Sequence, residues 1–383
     1  MQVTHHPLLA PSIGTQRHLT SLHFGDANAR PKVVVQASLH ADELPGMLVA
    51  HHLREQLAAA EASGLLRGQV VLVPVANPLG LDQTVLHAQL GRFDLATGEN
   101  FNRNFPSLVD WITEPDDDVT PLLGPDPDAN RATVRAALHR ALDRHPPTTE
   151  RGHLRHTLLR LACDADVVLD LHCDFEAVVH FYLEPACLAP LLPLTRRMGA
   201  RAVLVAEGTG AHCFDEALSG VWWQLAHRLA QRHGEAFAAQ RPLPQGCVST
   251  TVELRGQTDV RHDLARADAQ ALMDHLRDLG VVAGPAPEPP PALAAPTPLS
   301  GTELLTAPVS GVLTFHRAPG DHVAVGDRVA EVIDPITGTV HPLHASVNGV
   351  LYARHHLRWA TPGLEVAKLS GAEPRRSGPL LGA

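Results

Sequence analysis

The chain has 383 residues, is 44% hydrophobic, and carries 31 Lys+Arg against 41 Asp+Glu, a net charge of −10. That length accommodates two or three domains, and that apolar content excludes disorder as the main state. An acidic balance without a concentrated basic patch excludes nucleic acid and anionic membrane surfaces as partners, and no apolar run approaches the roughly 18–20 residues a bilayer requires.

Met1 to Pro7 lack a basic stretch followed by an apolar one, so no signal peptide is expected. The five cysteines (Cys163, Cys173, Cys187, Cys213 and Cys247) never form a C-x-x-C pair, which suggests reduced thiols in a cytoplasmic protein. Lys32 to Leu39, KVVVQASL, reads as a buried strand. It ends at His40-Ala41-Asp42-Glu43, where the H-x-x-E spacing lets an imidazole and a carboxylate converge on one metal ion. The helix that follows, Pro45 to about Ser63, carries Val49, Leu53 and Leu57 at i, i+4 and i+8 and stops at Gly64. Gln69 to Val75 is a second strand.

A Gly- and Pro-bounded loop then holds Glu99-Asn100-Phe101-Asn102-Arg103-Asn104-Phe105-Pro106. Asn102 beside Arg103 suits carboxylate recognition, because a guanidinium binds it bidentately and an amide adds a donor; Arg92 supplies a second cation upstream. Taken singly, each arginine also fits a solvated loop residue. Helices are expected near 128–144 and 150–162, then a strand, Asp166–Leu171, that delivers His172. Helices near 215–233 and 261–279 flank a strand around Ser249–Leu254, in which Glu253 sits between Val252 and Leu254. A carboxylate there is costly unless it is functional or paired, with Arg255 the nearest candidate partner. Strands alternating with helices predict an α/β fold, a mixed and mostly parallel sheet flanked by helices, whose ligands gather at the strands' carboxyl ends. Two His and one Glu, with one position left to water, form a common catalytic zinc set. Asp170 shares the strand face of His172 and would orient it.

From Gly284 the prolines crowd into an extended linker, and residues 302–370 show an all-β texture. Pro308–Leu313 echoes Ser346–Leu351 at an offset of 38 residues, as in biotinyl/lipoyl-type barrels. The hairpin between the halves, Asp334 to Thr339, lacks the lysine a carrier domain needs, so a structural cap is expected. The expected organisation is a catalytic domain at 1–284, a linker at 285–300, a barrel-like β-domain at 301–372 and a flexible tail at 373–383. The pairs His5-His6, His51-His52 and His355-His356 are set aside as surface histidines, since adjacent side chains point apart.

These elements, in this order, resemble the succinylglutamate desuccinylase/aspartoacylase family of the zinc carboxypeptidase-like (M14) superfamily, over about residues 32 to 280, with the trailing β-domain also typical of it. The resemblance implies one zinc ion per chain held by His40, Glu43 and His172. It implies substrate carboxylate on Asn102 and Arg103, carbonyl polarisation by Arg92, and Glu253 as catalytic glutamate. Arg255 stands where relatives often carry glycine and would add a cation at the substrate. Tyr352 is a candidate for a substrate-binding tyrosine, against the plainer reading of a barrel aromatic. The expected activity is hydrolysis of the amide of a small, carboxylate-bearing N-acylated amino acid or related metabolite. The alternatives are a metallo-carboxypeptidase acting on short peptides and a non-enzymatic binding protein on the same fold. Homo-oligomerisation stays open.

Overall fold

The computed structural model describes residues 1–382. The strands β1 (Gln2–Pro7), β2 (His18–Phe24), β3 (Lys32–Ala37), β4 (Gln69–Val73), β5 (Val167–Asp174), β6 (Val179–Leu183), β7 (Ala202–Val205), β8 (Val248–Gly256) and β9 (Pro296–Pro298) build one nine-stranded sheet. Their order is β1-β2-β4-β3-β5-β8-β6-β7-β9. The centre, β4-β3-β5-β8, is parallel, and so is β6-β7-β9. The β1-β2, β2-β4 and β8-β6 pairs are antiparallel.

The period of two in an extended chain divides β3 between two cores. Val33 and Val35 pack with α1 (Pro45–Ala62), α4 (Pro185–Arg197) and α6 (His262–Asp278). Val34 faces the other way, against α2 (Pro127–Arg144), α3 (Glu150–Ala162) and α5 (Phe214–His233). Both faces of the sheet are thus covered, which is why its central strands read as unbroken apolar runs. The helix boundaries follow their punctuation. Pro45 opens α1, and at α5 Glu216 reaches back to the Cys213 backbone N–H in a capping box.

The C-terminal region forms two antiparallel sheets around a shared core that includes Leu313, Val332, Leu351 and Val366. They do not close into the expected barrel. One of its strands, Gly349–Arg354, pairs with the short strand Glu176–Ala177 just beyond β5, tying this region to the nine-stranded sheet. Lys368 binds Asp174, and Arg354 and Arg358 bind Glu176 at the same junction. Within the stretch expected as a linker, β9 adds to β7, and Arg196 and Arg197 hold the carbonyls of Pro287, Pro289 and Pro290. All five cysteines are unpaired and buried. Among the described residues no helix is long and apolar enough to cross a membrane.

Candidate active site

Three neighbouring parallel strands bring the chemistry together at their carboxyl ends. His40 follows β3, His172 lies in β5, and Glu253 in β8 is in register with His172. His40 Nδ1 lies 2.9 Å from one Glu43 carboxylate oxygen, and His172 Nδ1 lies 2.7 Å from the other. These donor atoms all sit within 4.8 Å of one another, and the two rings stand 5.0 Å apart at 73°.

The far nitrogen of each ring also faces an oxygen. His40 Nε2 bonds Asn100 Oδ1 at 2.8 Å, and His172 Nε2 lies 3.0 Å from Asp170 Oδ2. Asn100 Oδ1 also accepts the Asn102 backbone N–H, which fixes the amide. Partners of this kind hold the proton on Nε2 and turn both Nδ1 lone pairs toward the point Glu43 faces, an arrangement suited to a divalent cation. Burial alone would raise the Glu43 pKa, but the two imidazoles hold it well below the carboxylate range. Burial and Arg92 push the His40 pKa down to about 4. For His172, Asp170 and Glu43 outweigh burial and raise it.

A cavity of about 510 Å³ opens over this cluster. Arg92 lines it, with Nη1 3.0 Å from Glu43 and 3.3 Å from His40 Nδ1. Glu253 also faces it, and its Oε2 has no hydrogen-bond partner. Burial, and next the charge of Glu43, push its pKa up to about 8, opposed by His172 and Lys368.

Asn102 and Arg103 reach the same cavity. Asn102 Oδ1 accepts the Phe214 N–H at the start of α5, and its Nδ2 lies 3.4 Å from His172 Nε2. Arg103 donates from Nε and Nη2 to the carbonyl of Gly382, at 3.0 and 2.8 Å, so residues from the C-terminal stretch lie on the expected carboxylate anchor.

Arg255 is elsewhere. A register shift between Glu253 and Gly256, with Arg255 at φ +72°, turns its side chain onto α6, where both terminal nitrogens bind Asp268 at 2.7 and 2.8 Å. It does not line the cavity, and the expected extra cation at the substrate is withdrawn. Tyr352 does line it, fully buried against His180. His180 is buried behind that wall, its Nδ1 donating to the Val178 carbonyl. His51 is exposed, as expected of a surface histidine, but His52 is buried with its Nε2 3.0 Å from His262 Nδ1, and Glu55, one turn on, lies 3.6 Å from both rings.

Three residues at or behind the cavity wall escaped the sequence reading. Asn100 carries no signal beyond its place in the Asn-Arg loop. Glu184 and Asp215 look like residues at a strand end and in a helix first turn.

The family model for the succinylglutamate desuccinylase/aspartoacylase catalytic domain matches residues 29–120. No curated protein sequence matches the chain. Among solved structures, a succinylglutamate desuccinylase/aspartoacylase family protein from Shewanella amazonensis is 26% identical, with a TM-score of 0.81 over 97% of this chain and 98% of that one. A second such protein, from Shewanella frigidimarina, is 22% identical, with a TM-score of 0.81 over 97% of each chain. The product-bound ectoine utilization protein EutE (DoeB) from Ruegeria pomeroyi shares the fold at 18% identity, with a TM-score of 0.63 over 96% of this chain and 95% of that one. The strand-end His-Glu-His cluster, the family model over residues 29–120 and the near full-length structural likeness point the same way: the chain carries a region similar to the succinylglutamate desuccinylase/aspartoacylase catalytic domain on the fold of proteins of that family.

Proposed function

We propose that the chain is a zinc-dependent amidohydrolase, working in the cytoplasm on the amide of a small N-acylated amino acid or related metabolite. The observation that carries this is the convergence of His40 Nδ1, Glu43 and His172 Nδ1 beside a buried carboxylate, Glu253, with one unpartnered oxygen. A zinc ion held by those three residues supplies Lewis acidity toward the scissile carbonyl and acidifies water.

The chain's own groups do the rest. Glu253 accepts a proton from the attacking water and returns it to the nitrogen of the leaving amine. The water oxygen bonds to the carbonyl carbon as the C–N bond breaks, giving a carboxylate and an amine. A buried carboxylate with one oxygen left without a hydrogen-bond partner is free to take up that proton and release it. Arg92 places a guanidinium at the cluster, where it offsets negative charge developing on the carbonyl oxygen. Arg103 and Asn102 orient a substrate carboxylate so that the amide lies over the cluster. The C-terminal region contributes Tyr352 and Lys368 to the cavity wall, and this enclosure favours small substrates over the peptides of a carboxypeptidase.

Zinc analysis combined with turnover of an N-acyl amino acid panel tests this. Glu253→Gln is expected to keep the metal and lose about 10²–10⁴-fold in kcat. Metal-free wild-type protein, or a Glu253→Gln variant with undiminished turnover, would sink the mechanism.

A further inference from the structure

On the deacylase reading, one wall of the cavity has no assigned role, and its charge pattern differs from that of the metal side. Thr251 shares a strand face with Glu253, two residues back, and beyond it lie Glu184, at the end of β6, and Asp215, in the first turn of α5. Glu184 is 4% exposed and accepts from the Ser219 hydroxyl and Trp223 Nε1. Glu216 is used up locally, accepting the backbone N–H groups of Thr209 and Cys213.

Asp215 is different. It is 7% exposed and faces the cavity, yet among the described residues no donor reaches its carboxylate. Only its main-chain carbonyl is engaged, by the hydroxyls of Ser219 and Ser249. Its position in a helix first turn is mildly favourable but leaves the carboxylate oxygens without a partner. Its charged surroundings are mostly negative: Glu216, Asp170 and Glu184 reinforce the effect of burial and push its pKa up to about 7, with His172 the opposing group. No lysine or arginine forms an ion pair with Asp215 or Glu184 among the described residues. A buried carboxylate without donor or counter-charge is costly, and a cationic ligand group entering from the cavity would supply both.

We propose that this wall is a cation subsite, and that the leaving amine of the substrate carries a second, positively charged nitrogen received by Asp215 and Glu184. The substrate class is then the N-acylated basic amino acids and related diamines. Within it, the carboxylate sits at Arg103, the amide at the His-Glu-His cluster and the free ammonium at Asp215. The assignment rests on the deacylase reading for the direction in which the substrate lies, but the subsite is a binding site in its own right.

The test is calorimetric titration of the zinc-loaded chain with L-lysine, L-ornithine, L-norleucine and L-glutamate, alongside hydrolysis of their Nα-acetyl derivatives. The cationic amino acids should bind at least about tenfold more tightly than norleucine, with glutamate weakest, and kcat/KM should follow the same order. Asp215→Asn, and independently Glu184→Gln should the first variant fold poorly, should shrink the gap between lysine and norleucine. Equal affinities, a preference for norleucine or glutamate, or no binding by any of the four would overturn the subsite. Binding in the expected order with no acetylated compound cleaved would remove the deacylase reading and leave the subsite standing. Cleavage without discrimination between lysine and norleucine derivatives would do the reverse.

Discussion

Two clusters in this molecule contain two histidines and a glutamate, and their rings are spaced alike. His40 and His172 stand 5.0 Å apart at 73°, and His51 and His52 stand 5.0 Å apart at 65°. The difference lies in what surrounds them. The Glu43 side chain is 2% exposed, touches both rings at hydrogen-bond distance and also accepts the Cys173 backbone N–H. The Glu55 side chain is 64% exposed and stays 3.6 Å from either ring. Asn100 and Asp170 orient the first pair, whereas His52 meets only another histidine, His262, at 3.0 Å and His51 points to solvent. Donor spacing alone is therefore a weak criterion. Burial and oriented outer partners are what turn three side chains into a rigid ligand set.

Removing a ligand from the buried cluster should have the largest effect. His40→Ala or His172→Ala is expected to reduce bound zinc from one ion per chain to none and to abolish turnover. Full metal content in either variant, measured by elemental analysis, would contradict the ligand assignment. A smaller loss should follow when the rings keep their place but lose their outer partner. Asn100→Ala or Asp170→Asn should weaken metal affinity by about 10–100-fold in competition with a chelator.

Next comes the junction with the C-terminal region. Lys368 lowers the Glu253 pKa and bonds Asp174. Lys368→Met withdraws a positive charge, which raises the Glu253 pKa further, so the acid limb of the pH–rate profile should move to higher pH. The same change leaves Asp174 without its counter-ion and should cost about 2 kcal/mol in denaturant unfolding. An acid limb that stays in place would show that Glu253 does not govern it. The smallest effect belongs to the exposed cluster: His51→Ala should leave zinc stoichiometry unchanged and stability within about 0.5 kcal/mol, and any loss of tightly held metal would erase the contrast.

Much of this was legible before the structure because the signals are local. Val33 to Val35 announce a strand covered on both faces, and Val49, Leu53 and Leu57 announce α1, whose observed span is Pro45–Ala62. The meeting of His40 and His172 was legible because strand ends in such sheets converge. Arg255 was misplaced because a register shift turns its side chain onto Asp268, and no residue pattern marks that shift. Asp215 was invisible for a different reason. Asp-Glu in a helix first turn is an ordinary sequence feature, and only the fold shows that Glu216 finds donors while Asp215 faces the cavity without one. His52 was expected at the surface with His51, but it is buried with its ring against His262, a contact between residues 210 apart that no local pattern marks.

The Gly382 carbonyl on Arg103 changes the thermodynamics of entry to the proposed site. An incoming carboxylate does not meet a bare guanidinium; it replaces a peptide oxygen already seated there. Its affinity is the difference between two occupancies of the same fork, the stronger charged contact less the neutral one given up. Discrimination among ligands is then set less by how strongly Arg103 can bind than by how much better each rival is than the chain's own backbone.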